Sequence, residues 1–171
     1  MTKIGRIIKS QRIKHLKLYS IFGRNKYMKH LCKVYSKYGV RFPNGLPRFI
    51  AYDVSLDGSA NIFIGSETTI ASKTAILTHD YSIDYAIKDK EYDHEIKILK
   101  NVVIGNNCFI GQRVFILPGV TIGDNSIIGS CSVVTKSVPA NCVYAGNPAK
   151  FICTLEEYSK KAFEKNEGNI F

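Results

Sequence analysis

A six-residue period constrains this chain more than any other feature. Steps of six from Ile98 meet Ile104, Ile110, Ile116, Ile122, Ile128 and Val134. Glycine follows the marker at Gly105, Gly111, Gly123 and Gly129, and a small or β-branched residue stands four places after each marker, from Val102 and Cys108 to Ser132 and Val138. An earlier tract has the same period in another phase, Ile64, Ile70 and Ile76, and extends backward through Gly58 to Tyr52, with Leu56 and Ile62 in the four-after positions. This period is neither that of a helix face nor that of an alternating strand. It fits a short strand and a turn, repeated so that equivalent residues stack along one axis. Three such units close a triangular coil, and successive coils pair as parallel strands about 4.8 Å apart. The marker points into the prism, and the Asn106–Asn107 and Asp124–Asn125 pairs suit tight or left-handed corners. The predicted fold is mainly β, a parallel β-helix of about four coils.

The pattern also divides the chain. Residues 1–48 read as a basic, helical N-terminal segment, 49–152 as the coils, and 153–171 as a C-terminal helix and tail. Residues 82–97 break the period with an insertion rich in Asp, Tyr and Lys, and so long a loop leaving a regular solenoid is more often functional than decorative. Thr154-Leu-Glu-Glu reads as a helix N-cap followed by acids in the first turn.

Charge is spread unevenly. Residues 1–50 hold thirteen Lys and Arg and no acid, whereas the chain from Asp53 onward has eleven basic and fourteen acidic residues. Three readings of the basic segment stay open: a solvated helical face, contact of residues 1–40 with an anionic membrane surface, or attraction of an anionic acceptor. Nucleic acid is not expected, because the segment matches no nucleic-acid-binding motif. No apolar run approaches the roughly 20 residues that span a bilayer, and the N-terminus has no signal-peptide core. The five cysteines are odd in number and lack paired metal-ligand spacing, as suits a cytoplasmic chain with free thiols, at most peripheral at the inner membrane face. A zinc site of three histidines is disfavoured, since the coil region holds only His79 and His94.

Within this frame the segment 62–152 resembles the maltose and galactoside acetyltransferase group of hexapeptide-repeat acyltransferases. The matching phrases are Ile76-Leu-Thr-His-Asp, Val103-Ile-Gly-Asn-Asn-Cys-Phe-Ile-Gly, Leu117-Pro-Gly-Val-Thr-Ile-Gly-Asp-Asn-Ser, Ser132-Val-Val-Thr-Lys-Ser-Val-Pro and Ala145-Gly-Asn-Pro-Ala-Lys-Phe-Ile. The N-terminal 50 residues look more like O-acetyltransferases of capsular or extracellular polysaccharide clusters. The resemblance implies a left-handed helix, acetyl-CoA as acetyl donor, no metal, and a homotrimer with active sites between subunits. It implies a catalytic role for His79, at the end of Ile-Leu-Thr-His. The chemistry agrees, because a hydroxyl needs a base of near-neutral pKa to remove its proton during attack on a thioester.

By the same resemblance the cofactor would contact Phe109, in place of the family's Trp, with Gln112, Ser130, Thr135, Lys136 and Lys150. On the acceptor side Asp53 is the nearest match to a family Asn or Asp. Asp80, Tyr81, Asp84 and Tyr85 are candidates to bind acceptor or orient His79, and His94 to bind acceptor. The implied reaction is O-acetylation of a sugar hydroxyl in surface polysaccharide or oligosaccharide synthesis. The alternatives are N-acetylation of a nucleotide-linked amino sugar and O-acetylation of serine or an antibiotic.

Overall fold

The computed structural model describes residues 23–87 and 95–165. Short strands stack into three ladders, one on each face of a triangular prism. The first face carries Val40–Arg41, Ile62–Ile64, Val102–Ile104 and Thr121–Ile122. The second carries Phe49–Ile50, Thr69–Ile70, Phe109–Ile110, Ile127–Ile128 and Cys142–Ala145. The third carries Ser55–Leu56, Ala75–Ile76, Phe115–Ile116 and Val133–Val134. The chain visits the faces in turn, and every pairing between coils is parallel. Inside, like residues stack on like: Ile50, Ile70, Ile110 and Ile128 on the second face, and Leu56, Ile76, Ile116 and Val134 on the third, all buried. Each such side chain contributes about 1.5–3 kcal/mol by leaving water.

The corners explain the asparagines. Glu67, Asn107, Asn125 and Asn141 form one column of left-handed backbone, with φ between 52° and 59°; Lys73, Arg113 and Cys131 form another. Asparagine tolerates this conformation better than most residues. Its amides also join the coils: Asn107 Nδ2 donates to Asn125 Oδ1, and Asn125 Nδ2 to Asn141 Oδ1, each at 3.0 Å. Gly65 is needed for another reason. A Cβ there would lie 2.5 Å from the Gly105 carbonyl, because consecutive coils meet backbone to backbone at this edge.

Ile64, Ile70 and Ile76 face inward as expected, but the backward extension of this tract runs in a different phase. Leu56 pairs with Ile76 and is buried, so it, and not Gly58, is the inward marker; Ile50 precedes it, while Tyr52 is exposed. Eight positions, not six, separate Leu56 from Ile64, and the extra two make room for a turn at Asp57–Ser59. Ile98 is not an inward marker either. It pairs antiparallel with Asp80, in a ribbon formed by His79–Asp80 and Ile98–Leu99. In so short a tract the period admits either phase, and only the stacking partner decides which residues face inward. The coils also begin earlier than residue 49, since Val40–Arg41 already pairs with the Ile62–Ile64 strand.

Three helices complete the described chain. Helix α1 (Arg24–Ser36) lies over the first coil and buries Tyr27, Met28, Leu31, Cys32 and Tyr35. It satisfies backbone groups that have no coil below them: Tyr27 Oη donates to the Ile50 carbonyl at 2.7 Å, and Met28 Sδ accepts the Ile50 N–H. Burial pushes the Cys32 thiol up to about 12, as befits a packing residue and not a nucleophile. Helix α2 (Ser82–Ala86) sits in the arm that leaves the prism after His79. Helix α3 (Leu155–Lys165) follows the Lys150–Thr154 strand, and Thr154 and Glu157 cap its start reciprocally, as the sequence implies. Among the described residues no helix is long and apolar enough to cross a membrane, and no group of three His, Cys, Asp or Glu could hold a metal ion.

Candidate active site

His79 stands where the chain leaves the second coil. The ribbon it shares with Leu99 fixes its backbone, and the Lys100 N–H donates to the Thr78 carbonyl at 3.0 Å beside it. Its side chain meets a partner from the coil before: His79 Nδ1 lies 2.6 Å from Asp57 Oδ2. Asp57 occupies the two-residue slip between Leu56 and Ile64, which turns its carboxylate toward the edge where His79 emerges.

A dense set of donors holds that carboxylate. Thr78 Oγ1 donates to Oδ2 at 2.6 Å and accepts the Ala60 N–H, and the Thr78 N–H also reaches Oδ2, at 2.8 Å. Ser59 donates to Oδ1 through both Oγ, at 2.7 Å, and its N–H, at 3.0 Å. Burial acts to raise the Asp57 pKa, but the bonds from Thr78, Ser59 and His79 more than offset it and hold the carboxyl well below the usual range. An ionised carboxylate accepts only, so the bond to His79 assigns the proton to Nδ1 and leaves the lone pair on Nε2. The ring is about one-third exposed, whereas Asp57 is 15% exposed. Tyr81 closes one side, its ring edge-on to the imidazole with centroids 5.1 Å apart, and Lys97 Nζ lies 5.8 Å over the Tyr81 ring. This arrangement can accept a proton at Nε2 from a group approaching the prism edge, and stabilise the imidazolium that results.

The other expected residues sort onto particular parts of the prism. Thr135 and Lys136 are exposed on the same edge as His79, on a later coil, since Ile76, Ile116 and Val134 share one ladder. Gln112 and Ser130 lie on the opposite edge of the third face, one above the other, and Asp53 stands on the same edge. The Gln112 N–H is taken by Ser130 Oγ at 3.2 Å and its carbonyl accepts the Cys131 N–H, so its side chain is what faces outward. Phe109 projects from the second face, 48% exposed, and Lys150 opens the exposed strand that closes that sheet. Within one chain, therefore, the His79 edge and the Gln112–Ser130 edge are separated by the whole third face.

The acceptor candidates are dispersed. Asp53 accepts Ser72 Oγ at 2.6 Å and the Lys73 N–H, which ties two coils together. Asp80 accepts the Ser82 N–H, and Asp84 accepts the Ile96 N–H across the arm, so both shape the loop. Tyr85 is 87% exposed. His94 lies outside the described residues. None of the four expected candidates orients His79 through a hydrogen bond; Asp57 does. The only sequence sign of it was an acid placed where the period lapses by two, and that lapse shows only once the strands are paired.

A family model described as bacterial transferase hexapeptide (six repeats) matches residues 101–136. The chain is 45% identical to Protein CapG of Staphylococcus aureus, over 75% of this chain and 73% of that one. It is 32% identical to a galactoside O-acetyltransferase of Lactococcus lactis, over 86% of this chain and 69% of the other. A hexapeptide-repeat acetyltransferase of Vibrio cholerae, solved with acetyl coenzyme A, superposes with a TM-score of 0.59 at 25% identity, covering 85% of this chain and 86% of that one. With the stacked coils and the histidine at their broken edge, these likenesses make the chain a member of the hexapeptide-repeat acetyltransferases, built on the left-handed parallel β-helix.

Proposed function

We propose that this acetyltransferase moves the acetyl group of acetyl-CoA to a hydroxyl of a saccharide, with His79 as general base. The observation that carries this reading is the 2.6 Å bond from His79 Nδ1 to an ionised, well-held Asp57, which leaves Nε2 basic at an accessible edge. Acetyl-CoA, when bound, supplies an acetyl group activated as a thioester. His79 Nε2 accepts the proton of the attacking hydroxyl as the new ester bond forms, and Asp57 stabilises the imidazolium. That proton is then available to the departing thiolate, so the products are an acetyl ester and CoA thiol. The curated relatives named above include a galactoside O-acetyltransferase, which supports a sugar acceptor.

The cofactor would lie with Phe109 against its apolar arm, Gln112 and Ser130 beside it, and Thr135, Lys136 and Lys150 toward its phosphates. These groups fit that ligand in kind: an exposed aromatic, polar edge residues and unburied cations. In one chain Thr135 and Lys136 share the His79 edge, whereas Gln112 and Ser130 stand on the other edge of the third face. A homotrimer reconciles the two sets, because rotation about a threefold axis sets the His79 edge of one copy beside the Gln112–Ser130 edge of the next. The third face between those edges presents Ser55, Ala75, Phe115 and Val133 outward, mostly small side chains that permit close approach.

The test is transfer from acetyl-CoA to an oligosaccharide, read as free thiol and as alkali-labile acetyl ester. His79→Asn should lower kcat by about 10²–10⁴-fold, the ordinary worth of general-base catalysis, with little change in CoA affinity. His94→Ala serves as the control, with a loss of under about tenfold, expressed in acceptor KM. A His79→Asn enzyme that keeps more than about a tenth of parental kcat would refute the assignment, and an alkali-stable product would make the acceptor an amine.

A further inference from the structure

A groove of about 520 Å³ opens at the edge between the first and second faces, on the first two coils, between α1 and the turn at residues 44–48. Arg24 and Lys29 of α1 and Arg48 of the turn line it with Asn44 and Ser66, and Glu67 is the one acid among its lining residues. All three cations are exposed, and among the described residues none of them forms an ion pair. No acidic residue precedes Asp53 in the chain, so the residues before α1 add positive charge alone. Cations fixed around a concavity focus a positive potential into it, and guanidinium groups favour carboxylate and phosphate oxygens.

The groove's position relative to His79 gives it a use. The first face runs between the edge that carries His79 and the edge that carries the groove. Ser59, whose Oγ lies 3.3 Å from His79 Nδ1, and Ser66, which lines the groove, flank the Ile62–Ile64 strand of that face. Seven residues span at most about 25 Å even when fully extended, so a chain laid along the face reaches from one to the other. Arg41 stands exposed on the same face beside Phe63 and adds a further cation along the route.

We propose that this groove is a second acceptor subsite, which takes the carboxylate or phosphate group of an anionic saccharide chain while a hydroxyl a few sugar units away lies at His79. The proposal rests on the saccharide-acceptor reading above and adds that the natural acceptor is polyanionic. Cations that line a concave groove suit a narrow chain laid in it, whereas a flat lipid surface would bridge the concavity.

The experiment uses the full chain and a fluorescently labelled oligogalacturonate, with its neutral methyl-esterified counterpart as the paired probe. The acid form should bind, more weakly as salt rises, and the ester should not. Lys29→Gln with Arg48→Gln should weaken binding of the acid form by about tenfold or more, as expected for lost charge-assisted bonds. Glu67→Gln should tighten it. Transfer to a small neutral acceptor should be unchanged in all three substitutions, which also reports an intact fold. Equal binding of both probes, or parental affinity in the double variant, would overturn the proposal. Cosedimentation with phosphatidylglycerol vesicles without oligogalacturonate binding would overturn it in favour of a lipid surface. His79→Asn should bind the probe like the parent, so failure of the base assignment and failure of the groove are read on separate axes.

Discussion

At the scale of single residues, the proposed mechanism turns on which nitrogen of His79 carries the proton. Asp57→Asn keeps the shape but replaces an acceptor by an amide that can donate to Nδ1, which would move the proton to Nε2 and remove the lone pair from the reacting side. The expected result is a fall in kcat of about 10²–10⁴-fold with CoA affinity retained, measured alongside His79→Asn. If the pair acts as a unit, the double variant should be little worse than either single one. The same carboxylate carries a pH signature. Its folded pKa is depressed, so its contribution to stability is complete above the ordinary carboxylate value of about 3.9 and is lost as pH falls through the folded value. Thermal melts between pH 5 and pH 2 should therefore show a smaller drop for Asp57→Asn than for the parent. The position of His79 at a broken edge of the prism was legible in the sequence, because it closes a phrase and stands at a break in the period. Asp57 was not, because its role depends on a pairing twenty residues long, Leu56 with Ile76, that sequence spacing did not reveal.

At the scale of the elements, each strand is only two to five residues long, and none could stand alone. Stability comes from stacking, so a change at one coil is felt by the coils above and below. Ile116 pairs with Ile76 on one side and Val134 on the other and is fully buried. Ile116→Ala should cost about 2–5 kcal/mol in urea unfolding, the range for a large-to-small change in a packed core. Asn125 has φ 56° and links Asn107 to Asn141 by its amide. Asn125→Ala should cost about 1–2 kcal/mol, from the left-handed backbone that alanine tolerates poorly together with the lost ladder bonds. Lys160→Ala, on the exposed face of α3, is the control and should stay within about 0.5 kcal/mol. A result in which the corner asparagine is as neutral as Lys160 would remove the ladder from the account of stability.

For the whole molecule, the proposed cofactor residues Gln112 and Ser130 stand on a different edge from His79, so the proposed function requires assembly. Light scattering should give the mass of a trimer, and Phe115→Glu, on the 46% exposed outward position of the third face, should lower both assembly and transfer. A sharper measurement mixes two inactive variants, His79→Asn and Ser130→Trp, under conditions that exchange subunits. In a shared site some clefts then pair an intact His79 edge with an intact Ser130 edge, and part of the activity returns. Transfer by a monomer, or mixtures as inactive as their components, would place the complete site within one chain.

The sequence by itself determined the architecture, and the reason is periodicity. A hydrophobic residue every sixth position leaves no helix face and no alternating strand to form, so the chain can bury its isoleucines only by coiling and stacking them. The capped C-terminal helix was legible for a similar reason, since Thr154 and Glu157 act on each other three residues apart. The tertiary structure alone decided the phase of the first coil, the partner of His79 and the sorting of the expected site residues onto separate edges. These depend on which residues lie one coil apart in space. On the third face that distance is eighteen residues between the later coils, twenty between the first two, and forty where the arm intervenes. A local period repeats the spacing within a coil but cannot count the residues inserted between coils. At Asp57 two inserted residues were enough to turn a carboxylate toward the histidine.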